Sequence, residues 1–329
     1  MTTAERKRYI QTVKTASTHP AYKGRYERLL TLHRNIFFSR IHELDFFLPW
    51  HRWFILQYEN LLREIDCRIT VPFWDWSLVG ADPLSSDLWN PGPHGLGGNG
   101  NGSNSCVDTG PFRAQVWSVI QSAGGGCLRR QFRFRTPDAV AVKQLIMNNA
   151  NVSDFERFEF LLRLEFHDLV HCVIDGTMCT LDSASAPEFF LHHGFVDKIW
   201  WDWQRLSRTH KFNEYFLAQK QRMPATVYRS QDFLDLNNQP GCVCAEYVPS
   251  RSRMYTALQE ASREKLLSIK RLPMPHMPEN AKKLFKITEE ELDRLHKLME
   301  NIEPRETTTS ASLHGKDKAR GFKYADLMK

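Results

Sequence analysis

The chain has 329 residues, 42% of them hydrophobic and 25% charged, enough for one large domain or two ordinary ones around a substantial core. Its formal net charge of +6 is mild, and acidic and basic residues are interleaved without a basic stripe or recognition motif, which argues against nucleic acid as a partner. No apolar run reaches the length of a membrane span, and the polar start Met1-Thr2-Thr3-Ala4-Glu5 does not read as a signal peptide, leaving a cytosolic protein or a mature segment as the open readings.

Taken in order, Thr2 and Glu5 predict a capped first helix through Val13. Residues 25–39 place Tyr26, Leu29, Leu30, His33, Ile36 and Phe37 at helical spacing, where His33 alone would read as a packed core residue. His42 then falls in a loop. Pro49 suits a helix start, which puts His51 in the first turn of a buried aromatic helix. His33, His42 and His51 recur at intervals of nine in aromatic surroundings, a pattern that three unrelated core residues do not explain.

Thr70 to Trp76 reads as a buried extended turn, and 92–105 as a long Gly/Asn/Pro/Ser surface loop. Residues 111–121 and 137–149 predict short helices. Ser153 with Glu156 reads as the capping box of a helix that runs into His167-Asp168-Leu169-Val170-His171. After a turn at Asp175-Gly176, a helix carries His192-His193 to about Gln204. A charged helix over 253–270 and an amphipathic helix from the Thr288/Glu291 cap to about Asn301 complete the ordered part; the tail from Glu303 is polar and read as disordered. The expected organisation is a domain over 1–250, a helical C-terminal extension over 251–302 and a disordered tail over 303–329.

His167 and His171, four apart on a helix, share one face and suit a single transition metal. His33, His42, His51, His167, His171 and one of His192/His193 form two triplets of imidazole donors, which suit copper, zinc, iron or nickel. A zinc protease would need Glu where Asp168 stands, and such a motif predicts no upstream triplet. Of seven cysteines at least one is unpaired within the chain. Cys106 and Cys127 flank a Gly-rich loop and a short amphipathic segment and read as a loop-closing disulfide, hence an oxidising compartment. A metal role is the rival, without a repeated C-x-x-C pattern to support it.

The run Phe47-Leu48-Pro49-Trp50-His51-Arg52, with His42 before it and Trp74-Asp75-Trp76 after it, resembles the first copper-binding half of the tyrosinase family. His167-x3-His171 with Pro187-Glu188-Phe189-Phe190-Leu191-His192-His193 to Trp200 resembles the second half; the two blocks cover residues 25–77 and 155–205. The Gly-rich insert and Cys106/Cys127 make the chain most similar to secreted tyrosinases of invertebrates such as molluscs.

The resemblance implies a mainly α fold, an antiparallel four-helix bundle holding a dicopper centre, with long irregular loops and a helical C-terminal extension. It implies two copper ions, on His33, His42 and His51 and on His167, His171 and His193, with His192 packed behind. It implies dioxygen as co-substrate, small phenols or tyrosine side chains as partners, an extracellular site of action and a link to melanin formation. A Glu and the residue after the first second-site histidine assist proton transfer in several members; here these are Glu159, with Glu165 as the alternative, and Asp168. Arg52, Asp75 and Asp197 read as ion partners that fix helices.

Three departures stand out. Ala186 replaces the usual Asp, which removes one supporting contact. Arg40 stands where some members have a thioether-linked Cys, so no crosslink is expected at His42. No β-rich lid is recognisable. The other readings are an oxygen carrier with the same copper site and a catalytically silent matrix protein.

Overall fold

In the computed structural model, which describes residues 1–212, 220–248 and 253–300, the chain starts on a reciprocal cap. The Thr2 hydroxyl accepts from the Glu5 N–H at 3.2 Å and the Thr2 N–H donates to the Glu5 carboxylate at 2.7 Å. Helix α1 (Thr3–Thr18) follows and outruns the expected end at Val13. Helix α2 (Pro20–Asn35) opens on proline, whose missing N–H costs nothing there, and carries His33 in its last turn. An irregular segment over 36–46 holds His42, and helix α3 (Phe47–Arg63) carries Pro49 in its first turn with His51 just after it.

The expected helix over 111–121 is absent. Gly110 (φ 75°) and Gln115 (φ 68°) take left-handed backbone that an α-helix cannot contain, and only a 3₁₀ turn forms, at Gln121–Ala123. The apolar spacing there serves anchoring instead: buried Trp117 donates its indole N–H to Ser17 of α1 at 2.9 Å. Helix α4 (Ala139–Asn148) is capped by Asp138, which accepts from the Ala141 N–H at 2.8 Å and, with its other oxygen, from the Leu272 N–H at 2.6 Å.

The next rod is composite: α5 (Phe155–Leu161), a π-helical segment (Leu162–Asp168) and α6 (Leu169–Ile174). Ser153 is not its cap. It lies inside a 3₁₀ turn (Val152–Asp154) that Asn151 opens, with the Asn151 N–H on Asp154 at 3.4 Å. The π segment widens the helix next to the histidine pair, so His167 and Asp168 are displayed in a register that a pure α-helix would not give. The rod ends where expected, at Asp175 (φ 58°) and Gly176 (φ 61°); a Cβ on Gly176 would lie 2.4 Å from the Arg129 carbonyl oxygen.

Helix α7 (Phe189–Gln204) is buried almost all round, so it lies at the centre of the bundle formed with α2, α3 and the composite rod. Its start is fixed by Glu188, which accepts both the Nε (2.9 Å) and a terminal N–H (3.0 Å) of Arg130. Arg130 also donates to the carbonyls of Gly97 and Gly98 at 2.8 and 2.7 Å and lies over the Trp89 ring, so the Gly-rich loop is tied to the core rather than floating on the surface. That loop pairs Gly100–Asn101 with Cys106–Val107, beside the Cys106–Cys127 disulfide. A second disulfide, Cys172–Cys179, is one the sequence does not announce; Cys67, Cys242 and Cys244 are free and exposed.

The charged stretch after 253 forms two helices, Arg253–Glu260 and Arg263–Ser268, because Ser262 caps a new start. A further helix at Glu279–Phe285, absent from the sequence expectation, follows the proline-rich break. Its Asn280 amide donates to Asp175 at 3.1 Å, and its Ala281 is fully buried. The Thr288/Glu291 cap forms, and the last helix runs Glu289–Glu300. The tail expected to be disordered lies outside the described residues.

Arg130 and Glu188 are both fully buried, so removing one partner strands a charge in the interior. Glu188→Ala is expected to cost about 3–5 kcal/mol, read from the denaturant midpoint, with Arg130→Met/Glu188→Leu costing less than the single change. An unchanged midpoint for Glu188→Ala would contradict this role.

Candidate metal centre

The first triplet converges. His33, His42 and His51 offer ligand nitrogens within 4.8 Å of one another, with ring centroids 5.2–5.6 Å apart. Two of the rings are clamped from behind: Nδ1–H of His42 donates to the Phe37 carbonyl (3.0 Å) and that of His51 to the Phe47 carbonyl (2.8 Å). That choice of tautomer leaves Nε2 with its lone pair facing the other two rings. The His51 Nε2 and both nitrogens of His33 are buried without a hydrogen-bond partner.

The second triplet has the same logic. His167 Nε2 and His171 Nε2 lie 3.3 and 3.2 Å from His193 Nε2, all three pointing at one spot. His171 Nδ1–H donates to the Met178 carbonyl at 2.9 Å, and His167 Nδ1–H to Asp168 Oδ1 at 2.7 Å. His192 competes for the place, since it too has a nitrogen within 4.8 Å of ligand nitrogens on His167 and His171. Its Nδ1, however, accepts the Trp76 indole N–H at 3.2 Å, whereas the His193 ring stacks on His51 at 4.4 Å and so faces the first triplet. The Nε2 contacts of 3.2 and 3.3 Å and this stacking favour His193. The Thr70–Trp76 stretch reaches His192 because Gly194 leaves room beside Phe73, where a Cβ would sit 3.2 Å from the Phe73 Cβ.

Burial drives every one of these imidazoles toward the neutral form, His42 to about 3 and His171 to about 4, and the others well below the usual histidine value. Orphaned buried nitrogens, neutral rings and triads built of imidazoles alone are a donor set that suits two copper ions. The group fits. The wall around it is aromatic: Phe37, Phe47, Trp50 and Phe189 lie 4.1–5.0 Å from ligand rings.

The structure also brings in a ring that the sequence did not announce. Phe285, at the end of the Glu279–Phe285 helix, stands 5.7 Å from both His42 and His167 and 5.9 Å from His171. The only hint was an aromatic residue closing a short amphipathic stretch after three prolines. The Glu279–Phe285 helix thus sets an aromatic ring against histidines of both triplets.

Glu159 is buried in α5 and accepts from Arg163 Nε at 2.9 Å. Burial raises its carboxyl above the usual range and the Arg163 charge opposes the rise. Glu165 is turned to different surroundings: burial pushes it up to about 7, and the charge that opposes this is Arg271 of the extension. Asp168, also raised by burial, orients the His167 ring. Arg52 and Asp197 pair at 2.8 Å between α3 and α7, as expected of helix-fixing partners. Asp75 accepts from the Ser77 hydroxyl, and burial pushes it up to about 6. Ala186 is buried and offers no carboxylate; Glu188 supplies the anchor instead.

Two facing trihistidine sites inside a helical bundle define a binuclear copper protein. Residues 23–206 match the common central domain of tyrosinase, and the chain belongs to the tyrosinase family. It is 31% identical to a tyrosinase of Streptomyces lincolnensis over 64% of this chain and 81% of that one. It is 28% identical to a tyrosinase of Aspergillus flavus over 65% and 64% respectively. A polyphenol oxidase from Thermothelomyces thermophila, solved as a point mutant, shares the fold, with a TM-score of 0.58 at 20% identity over 75% of this chain and 86% of that chain.

His193→Ala is expected to lower bound copper from two ions per chain toward one, while His192→Ala keeps both, as measured by elemental analysis after full loading. The reverse result would exchange the two assignments.

Proposed function

We propose that this copper-dependent phenol oxidase of the tyrosinase family hydroxylates monophenols to o-diphenols and oxidises these to o-quinones, with dioxygen as co-substrate. The observation that carries the reading is the pair of triads facing each other across the stacked His51 and His193 rings. His33, His42 and His51 would hold one copper and His167, His171 and His193 the other; when bound, the metal pair supplies the redox chemistry toward dioxygen.

The chain's own residues do the rest. The aromatic wall excludes water, and the backbone carbonyls of Phe37, Phe47 and Met178 hold three ligand rings in the tautomer that presents Nε2. Asp168 does the same for His167 and so acts on the substrate through the ligand's orientation. Glu159 takes the proton from the phenol hydroxyl, the carboxylate becoming the acid as the phenol becomes phenolate. The face beside His42, His167 and His171 receives the substrate ring, and Phe285 stands across it. Small phenols or exposed tyrosine side chains suit such a face. Two disulfides support folding in an oxidising compartment, in keeping with an extracellular enzyme.

Copper loading to two ions per chain, followed by oxygen uptake with tyrosine and with a catechol, tests the reading. Uptake with both is expected; a fully loaded protein that consumes no oxygen with either substrate would sink it. Phe285→Ala should lower KM for a bulky catechol about threefold or more, a difference of ~0.7 kcal/mol, by clearing the substrate face. An unchanged KM would place Phe285 outside the substrate's path.

A further inference from the structure

Arg163 is a cation placed at the edge of the metal centre. It lies in the π-helical segment with its side chain 14% exposed, and its Nε donates to Glu159, whose side chain is 1% exposed, at 2.9 Å. An exposed pair at this i,i+4 spacing would be a surface detail worth a few tenths of a kcal/mol. Here the carboxylate is dry and the guanidinium nearly so. The Arg163 charge also bears on His42, between α2 and α3, and on Asp168, next to His167.

The groups around the pair define its balance. Glu159 faces Arg163 first, then Glu156 and Arg294, which pair with each other at 3.0 Å on the surface. Arg163 faces Glu159, Asp168 and Glu291. A buried carboxyl with no cation would bind a proton and could not accept one from a substrate. The pair also bridges α5 and the π segment, so the same contact that keeps the charge fixes where Glu159 points.

We propose that Arg163 is a positioning residue for proton removal from the phenol: its guanidinium holds Glu159 as a carboxylate and fixes its direction on α5. The inference rests on the reading of Glu159 as the proton acceptor and extends it to the residue that makes Glu159 competent. In the step served, the phenol O–H bond breaks, the proton passes to the carboxylate, and no electron moves. Catechol oxidation, whose substrate ionises more readily, depends on the pair less.

The test uses the copper-loaded full chain and the variants Arg163→Met, Arg163→Lys and Glu159→Gln. Arg163→Met is expected to lower the ratio of monophenol to catechol kcat/KM about tenfold or more. The acid limb of the monophenol profile should move up by about 1–3 pH units, because an acid whose neighbouring cation is lost holds its proton to higher pH. Difference infrared spectroscopy against Glu159→Gln should show the Glu159 carboxyl titrating at correspondingly higher pH, a readout that does not involve turnover. Arg163→Lys should recover most of the ratio, and also serves if the methionine variant folds poorly. In the Glu159→Gln background the methionine change should add little. If copper is retained and the ratio, the acid limb and the infrared titration of Arg163→Met all match the parent, Arg163 is only a structural tie and the proposal fails. If Glu159→Gln itself leaves monophenol turnover intact, or the parent has none, the Glu159 reading fails and takes the proposal with it.

Discussion

Six imidazoles can share one small apolar volume only if none of them takes up a second proton and becomes a cation. At the ~5 Å separations that hold between rings here, two such charges repel by about 3 kcal/mol even at an effective dielectric of about 20, and their desolvation adds to that. The structure meets the constraint from both sides. Buried aromatic walls make the charged form expensive, and hydrogen bonds from Nδ1 choose a neutral tautomer on His42, His51, His167 and His171. The same choice turns each Nε2 into a lone-pair donor aimed inward. Metal affinity is therefore built from the folding energetics of the bundle and not added to it.

Holding two triads face to face requires that helices far apart in sequence keep their register, and buried arginines do this. Arg52, next to the ligand His51, pairs with Asp197 on α7 and lies over Trp200. Its remaining donors reach Gln204 and the carbonyls of Phe233 and Leu234. The Tyr247 hydroxyl completes Asp197 at 2.6 Å. Arg130 fixes the start of α7 through Glu188. One pair sets α3 against α7 and the other sets where α7 begins, and His193 is positioned by both. Arg163 repeats the device in the π segment, with the buried carboxylate of Glu159 as its partner.

Much of the centre was legible because ligand residues are chemically distinctive and their helical spacing is local. The intervals of His33, His42 and His51 and the His167/His171 pair marked the two triads without any contact information. The Thr2/Glu5 and Thr288/Glu291 caps were legible for the same reason, being hydrogen bonds between near neighbours. The segment 111–121 misled because its apolar residues anchor a turn onto α1, and nothing local reveals the positive φ of Gln115. The Ser153 cap failed because Asn151 offered an earlier and competing turn start.

The sequence by itself determined the donor chemistry, the helical class and the family, since these depend on residue type and short-range periodicity. The family resemblance already named His193 over His192, but the contacts that distinguish the two are tertiary: the Trp76 indole on His192 and the His51 ring against His193 lie more than a hundred residues away in the chain. The tertiary structure alone widened the helix around the ligand His167 into a π segment, turned Glu159 toward Arg163 and Glu165 toward Arg271, and laid Phe285 across the histidines. Those outcomes are long-range packing and electrostatics, which no local pattern encodes.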